Sequence, residues 1–293
     1  MFRHALPAAA VAAACLIAAP APPPRPSLSL AVTTSTSPKP VTLDELAATD
    51  PVALLAECGR RFRAEVRGYR CTLHKQERTG GTLHPPEVVS LAVREEPYAI
   101  LMKWQSGARG PFGTPIEGVV FVAGANAGKM TVWRPSARLS PLRLLPVDPA
   151  DDSARSAARY AVSEAGIGHA LARTHRAWTH ASLMSHSDTA LLAEFLGRRM
   201  VPEVGRECLV VRRTCGKPQL DPFRLDEPAG DPARRPADAF TTVTVMLDQA
   251  TGAQVGSELR RADGALVGAY HFRDLELNPA FPPDQFTPAA LKR

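Results

Sequence analysis

Apolar side chains recur at every second position along much of this chain. Runs at 69–78, 87–95, 98–105, 117–123 and 130–134 alternate as strands with one buried face do. The gaps between them are short. "TGGTL" separates the first two and "GANAGK" (124–129) the last two, so no crossover helix fits and an antiparallel meander results. The two-residue period returns at 190–201, 206–214, 240–248, 254–261 and 265–277, with "DQATGAQ" and "ADG" as hairpin turns. Two stretches follow a 3.6-residue period instead. Residues 50–66 place Val52, Leu55, Phe62 and Val66 on one stripe, with Asp50 as cap, Pro51 first in the helix and Gly68 ending it. In "EAGIGHALARTHRAWTHASLMS" (164–185), Ile167, Leu171 and Trp178 share a side. "SPLRLLPVDP" reads as a strand or extended loop, and 216–238 as a Pro/Asp-rich loop. About ten antiparallel strands with two helices against one face make a single α+β domain, and a sheet that long curls.

Composition adds location. The chain has 293 residues, 45% of them hydrophobic, enough for a real core. The net charge of +6 is mild, and no Lys/Arg tract interleaves with aromatics, which argues against nucleic acid as a partner. Arg3 and His4 precede an apolar run from Leu6 to Ala19, shorter than the roughly 20 residues a membrane span needs. With "APA" at 19–21, residues 1–21 read as a signal peptide, 22–40 as a Pro/Ser/Thr-rich linker and 41–293 as the folded domain. An exported protein of the periplasm or cell envelope is expected. A lipid anchor at Cys15 is the rival reading, disfavoured by Ala12 where leucine is expected and by apolar Leu16 and Ile17. Four further cysteines, Cys58, Cys71, Cys208 and Cys215, are disulfide candidates in an oxidising compartment. Cys58 lies near a helix end and Cys71 opens the next strand, so that pair is plausible. Cys208 and Cys215 on one extended strand stand roughly 23 Å apart, beyond disulfide reach. Buried free thiols are the alternative.

The densest chemistry is "YRCTLHKQER" (69–78). On a strand, Tyr69, Cys71, Leu73, Lys75 and Glu77 share one face, and His74 points away from Cys71, so no joint metal site forms. That face begins apolar and ends charged, which reads as an inward side running out toward solvent. "GANAGK" lacks the length of a phosphate loop and has Met130 where Ser or Thr is required. His169, His175, His180 and His186 are spaced six, five and six apart, not the three or four that helical metal ligation needs. "SHSD" (185–188) supplies triad residue types, but no G-x-S-x-G elbow exists. Glu77 with Arg78, Arg94 with Glu95 and Lys103 with Glu117 are candidate cross-strand ion pairs. The expectation is therefore no catalytic residue, no metal and no cofactor: a non-enzymatic protein.

Tyr69, Lys75, Glu77–Arg78, Pro86, Arg94, Pro97, Lys103–Trp104, Gly124 and Gly128, with "EAGIG" (164–168) and "YHFRDLELNPAFPPDQF" (270–286), resemble a bacterial family of exported proteins carrying a domain of unknown function. The likeness covers roughly 50–290. By fold that family is similar to the lipoprotein carrier LolA. The resemblance implies an open antiparallel half-barrel whose apolar concave face is covered by helices, and in that wider group the cavity receives acyl chains. It transfers no residue-level lipid site. The extra cysteines and the 216–238 loop depart from the family pattern.

A hydrophobic ligand, a lipid or lipoprotein acyl chain, is thus expected in a cavity lined by Leu91, Val93, Ile100, Met102, Val120, Val122, Trp178, Val243, Val245 and Leu247. Two alternatives stand beside it. One is an envelope interaction or scaffolding module with a filled core and an envelope-protein partner. The other is a hydrolase assembled from distant strands.

Overall fold

The computed structural model describes residues 41–108, 116–134, 143–183, 191–219 and 238–293. Twelve strands form one open antiparallel sheet. In chain order they are β1 (Gly68–Thr79), β2 (Thr82–Leu83), β3 (Glu87–Arg94), β4 (Ala99–Ser106), β5 (Gly118–Val122), β6 (Met130–Trp133) and β7 (Leu144–Val147), then β8 (Leu192–Val201), β9 (Arg206–Gln219), β10 (Phe240–Asp248), β11 (Gln254–Arg260) and β12 (Leu266–Leu277). The spatial order is β7-β6-β5-β4-β3-β1-β12-β11-β10-β9-β8, with β2 on β1. Two meanders are joined at the middle by β1 and β12, where Leu73 faces Phe272 and Lys75 faces Tyr270. Edges β7 and β8 do not meet, so the barrel stays unclosed.

The helices are α1 (Leu43–Thr49), α2 (Pro51–Glu65), α3 (Asp152–Ala157) and α4 (Ile167–Leu183). Asp50 caps α2 through its side chain, and Pro51 takes the first position. Thr42 and Glu45 form a capping box at α1. Leu54, Leu55, Cys58 and Phe62 of α2 and Ile167, Leu171 and Trp178 of α4 are buried in one core with Val93, Ile100, Val211, Val245 and Leu247. Strands as far apart in order as β4 and β9 therefore bury side chains in one core with α4, which requires the sheet to curl around it. The opposite face carries a small second cluster of Ala92, Leu101, Val120, Ala290 and Leu291, covered by the C-terminal segment. Residues 41–293 make one unit, and no described helix is long and apolar enough to cross a membrane.

Several details differ from the sequence reading. Helices α1 and α3, of 7 and 6 residues, are too short to show a period. Helix α2 ends at Glu65, before Gly68, which opens β1 instead. A Cβ at Gly68 would stand 2.6 Å from the Val93 carbonyl oxygen, so the glycine permits a close strand approach. Strand β9 runs on through 216–219, because pairing of Gln219 with Phe240 extends the ladder past Gly216. Residues 220–237 of that loop, the 1–40 segment with its signal and linker, "SHSD" and His186 lie outside the described residues.

The four cysteines are not bridged: all are free and buried. Cys58 sits on α2 against the β10–β11 turn, where a Cβ on Gly252 would touch its Sγ at 3.3 Å, while Cys71 belongs to β1 opposite Leu91. Burial pushes the Cys58 and Cys208 thiols up to about 12. Native protein is therefore expected to react slowly with a thiol reagent at pH 8, and these four thiols to react fully after denaturation without reductant. A shortfall of two thiols in the denatured sample would establish a disulfide.

Candidate functional site

Between the concave face and the segment leading through α3 into α4 lies a partly enclosed cavity of about 350 Å³. Ligand pockets begin at about 300 Å³. One wall is apolar: Met102 from β4, Ile116, Val119 from β5, Met130 and Val132 from β6, and Val147 from β7. The helical side contributes Ala154, Ala170, Ala177 and Trp178. The small side chains there leave the space that larger ones would fill.

Two tyrosines hold that helical side to the sheet. The Tyr69 hydroxyl, fully buried, accepts a hydrogen bond from the Ile167 N–H at 2.7 Å, satisfying one free donor at the start of α4. Gly166 precedes it at φ +92°, and a Cβ there would collide with the same hydroxyl, so glycine is required twice over. The Tyr98 hydroxyl lies 3.0 Å from both the Val162 and the Ala165 carbonyl oxygens. Tyr69→Phe is expected to cost about 1–3 kcal/mol by leaving the Ile167 N–H unsatisfied. A lower urea midpoint with unchanged far-ultraviolet circular dichroism would show it.

The floor holds the feature the sequence reading placed wrongly. Lys75 and Glu77 do not run out to solvent; they are 8% and 4% exposed. Glu87, first in β3 and directly opposite Lys75, is 4% exposed. The Lys75 ammonium lies 3.0 Å from Glu77 Oε2 and 3.2 Å from Glu87 Oε1. The Tyr270 hydroxyl donates to Glu77 Oε1 at 2.7 Å, and Trp104 Nε1 donates to Glu87 Oε2 at 2.6 Å. Burial alone would lower the Lys75 pKa, but the two carboxylates outweigh it and hold the value above the ordinary lysine range. Burial likewise opposes ionisation of Glu77, yet Lys75 and Tyr270 keep its carboxyl below the usual range. The chain of contacts continues upward. Tyr270 packs on Tyr160 with ring centroids 5.5 Å apart, and the Arg173 guanidinium of α4 stacks on Tyr160 at 3.7 Å.

The proposed cross-strand ion pairs do not form. Glu77 binds Lys75, while Arg78 donates to the Gly81 and Leu266 carbonyls. Arg94 donates to the Pro97 carbonyl and Lys103 to that of Arg293. His169 packs edge-on against Tyr98 at 4.6 Å, and no group of His, Cys, Asp and Glu among the described residues is arranged to hold a metal.

Of the ten expected lining residues, Met102, Trp178 and Val243 line the cavity. Leu91, Val93, Ile100, Val245 and Leu247 lie in the main core around it. Val120 belongs to the opposite face, against Leu291, and Val122 shares its side by strand alternation. The residues that reasoning missed are Glu87, Tyr270, Arg173, Arg213 and Gln254. The alternation at 69–77 put Lys75 and Glu77 on the same face as buried Leu73, which was the one available signal of their burial. Nothing local named their partners.

A family model described as "Protein of unknown function (DUF1571)" matches residues 66–224. No curated protein matches the chain. Among solved structures, the MucA/MucB complex of Pseudomonas aeruginosa aligns at 16% identity over 81% of this chain and 62% of that one, with a TM-score of 0.40. The chain thus spans less than two thirds of that structure. The Mycobacterium tuberculosis lipoprotein LppX aligns at 11% identity over 80% and 99% of the two chains, with a TM-score of 0.40. A LolA superfamily protein from Nitrosomonas europaea aligns at 10% over 82% and 98%, with a TM-score of 0.29. These are loose likenesses in fold. The family match is firmer, since it takes in more than half of the chain: the protein belongs to the DUF1571 family, whose function is unknown.

Proposed function

We propose that this is an exported, non-enzymatic protein of the periplasm or cell envelope that binds a lipid or acyl chain in the cavity of its curled sheet. The cavity itself carries the reading: about 350 Å³ of partly enclosed space with an apolar wall, left open although residues around it pack to full burial. Apolar lining in a space of that kind faces water unless an apolar guest covers it, and covering it is favourable. The chemistry of the walls supports binding over turnover. Ser153 and Ser257 line the cavity, but no histidine or cysteine does among the described lining residues. Binding can be read directly, because Trp104 and Trp178 both line the space. Protein purified without detergent is expected to release acyl-containing lipid into chloroform–methanol, seen by mass spectrometry. After lipid removal, hexadecanol should change the tryptophan emission saturably. No extracted lipid and no fluorescence change would dispose of the proposal.

A further inference from the structure

Strand β11 turns toward the cavity a buried acceptor that no protein group serves. The β10–β11 pairing slips by one residue between Met246 and Leu247: Met246 faces Gly256, but Leu247 faces Gln254. Val255 is the extra residue of a bulge, a device that re-aims a neighbouring side chain. By plain alternation Gln254 would lie on the face opposite Ser257 and Leu259. The bulge brings it to their side, and the three stand across from Leu247, Val245 and Val243 respectively. Gln254, Ser257 and Leu259 all line the cavity. Gln254 is 3% exposed, and its Oε1 has no hydrogen-bond partner within the protein. That oxygen is an acceptor, so only a donor can satisfy it. A buried acceptor left unpaired costs free energy that a ligand's donor recovers. The Ser257 hydroxyl belongs to a position about 7 Å further along, two residues by the β10 register.

Resting on the binding reading above, we infer that the ligand is a lipid with an uncharged hydroxyl head, as in a long-chain alcohol or an acylglycerol. The hydroxyl donates to Gln254 Oε1, and the chain lies against Met102, Val119 and Val132 of the apolar wall. A carboxylate head has no hydrogen to donate. An ammonium head has one, but once buried it needs a counter-charge. Glu77 and Glu87 are the carboxylates among the described lining residues, and their four oxygens are taken by Lys75, Tyr270 and Trp104. A buried cation without a carboxylate to pair with is costly. A hydroxyl brings no charge, and its own oxygen is free to accept from Ser257.

The test uses the full, delipidated chain at pH 8 and four probes with the same sixteen-carbon tail: hexadecanol, its methyl ether, hexadecanoate and hexadecylammonium. Affinities are read from tryptophan emission. Hexadecanol is expected to bind about tenfold more tightly than the ether, which keeps the oxygen and lacks the donor. Both ions should bind more weakly than hexadecanol. Gln254→Leu keeps the bulk of the side chain and removes the acceptor. It should cut hexadecanol affinity about tenfold and leave the ether within about twofold. Ser257→Ala, a milder change, should narrow the advantage of hexadecanol by about threefold, so the inference stays testable if Gln254→Leu fails to fold. Equal wild-type binding of hexadecanol and the ether would mean that water serves the amide as well as a ligand does, and overturns the hydroxyl head alone. Tighter binding of either ion, or equal effects of the variants on hexadecanol and the ether, does the same. Failure of every probe to bind overturns the cavity's binding role as well.

Discussion

Lys75→Met should destabilise the protein by about 3–5 kcal/mol, the loss expected when one partner of a buried ion cluster is removed. Two carboxylates, Glu77 and Glu87, at 4% exposure each, would lose the ammonium they share. The comparison that isolates this cause is the triple variant Lys75→Met, Glu77→Gln, Glu87→Gln. Removing both charges with the lysine should recover part of the loss, because neutral groups are cheaper to bury than unpaired ions. Urea midpoints of the three proteins decide it. A shift worth less than about 1 kcal/mol for Lys75→Met would mean that the cluster is hydrated rather than buried.

The same cluster gives a pH signature. The Glu77 carboxyl is depressed in the folded state, so its contribution is complete above the unfolded value of 4.5 and is lost as pH falls through the lower folded value. Lys75 is raised, so its contribution is complete below 10.5 and is lost as pH rises through the higher folded value. The wild-type cluster therefore holds across the neutral range. In Lys75→Met, burial dominates Glu77 and raises its carboxyl, so acid protonates the unpaired group and relieves it. The stability gap between wild type and variant should narrow from pH 7 to pH 4.5. A gap that widens on acidification would contradict the assignment.

Ala177→Trp should fold with a midpoint within about 3 kcal/mol of wild type, the cost of overpacking, and lose at least about tenfold in affinity for hexadecanol. Ala177 is a half-buried residue of α4 that lines the cavity, so an indole there takes up part of that space. Equilibrium binding together with a urea curve separates a plugged cavity from a damaged fold. Undiminished binding would place the guest elsewhere.

Much of the architecture could be read directly from the chain, for local reasons. Each hairpin from β3 to β6 pairs with a neighbour in sequence, so alternation and turn residues suffice to predict it. Helix α2 announces itself through Asp50 and Pro51, and α4 through Ile167, Leu171 and Trp178. The apolar run "GVVFV" of β5 was harder. Its first four residues are all buried, so alternation cannot say which face is which. Only the C-terminal segment, laying Leu291 over Val120, decides that Val119 and Phe121 point inward.

The sequence alone determined the two-residue and 3.6-residue periods, hence one antiparallel sheet with a helical cover, because those periods are backbone geometry written in polarity. It also put Lys75 and Glu77 on one face with Tyr69, Cys71 and Leu73, but ran that end out to solvent. Tertiary structure decided what that face meets. Lys75 stands opposite Glu87 through a hairpin, but opposite Tyr270 only through the β1–β12 pairing of the chain's two ends, and α4 brings Arg173 to the opposite side of the space. Contacts closed over such separations depend on register and curvature, which no local pattern encodes.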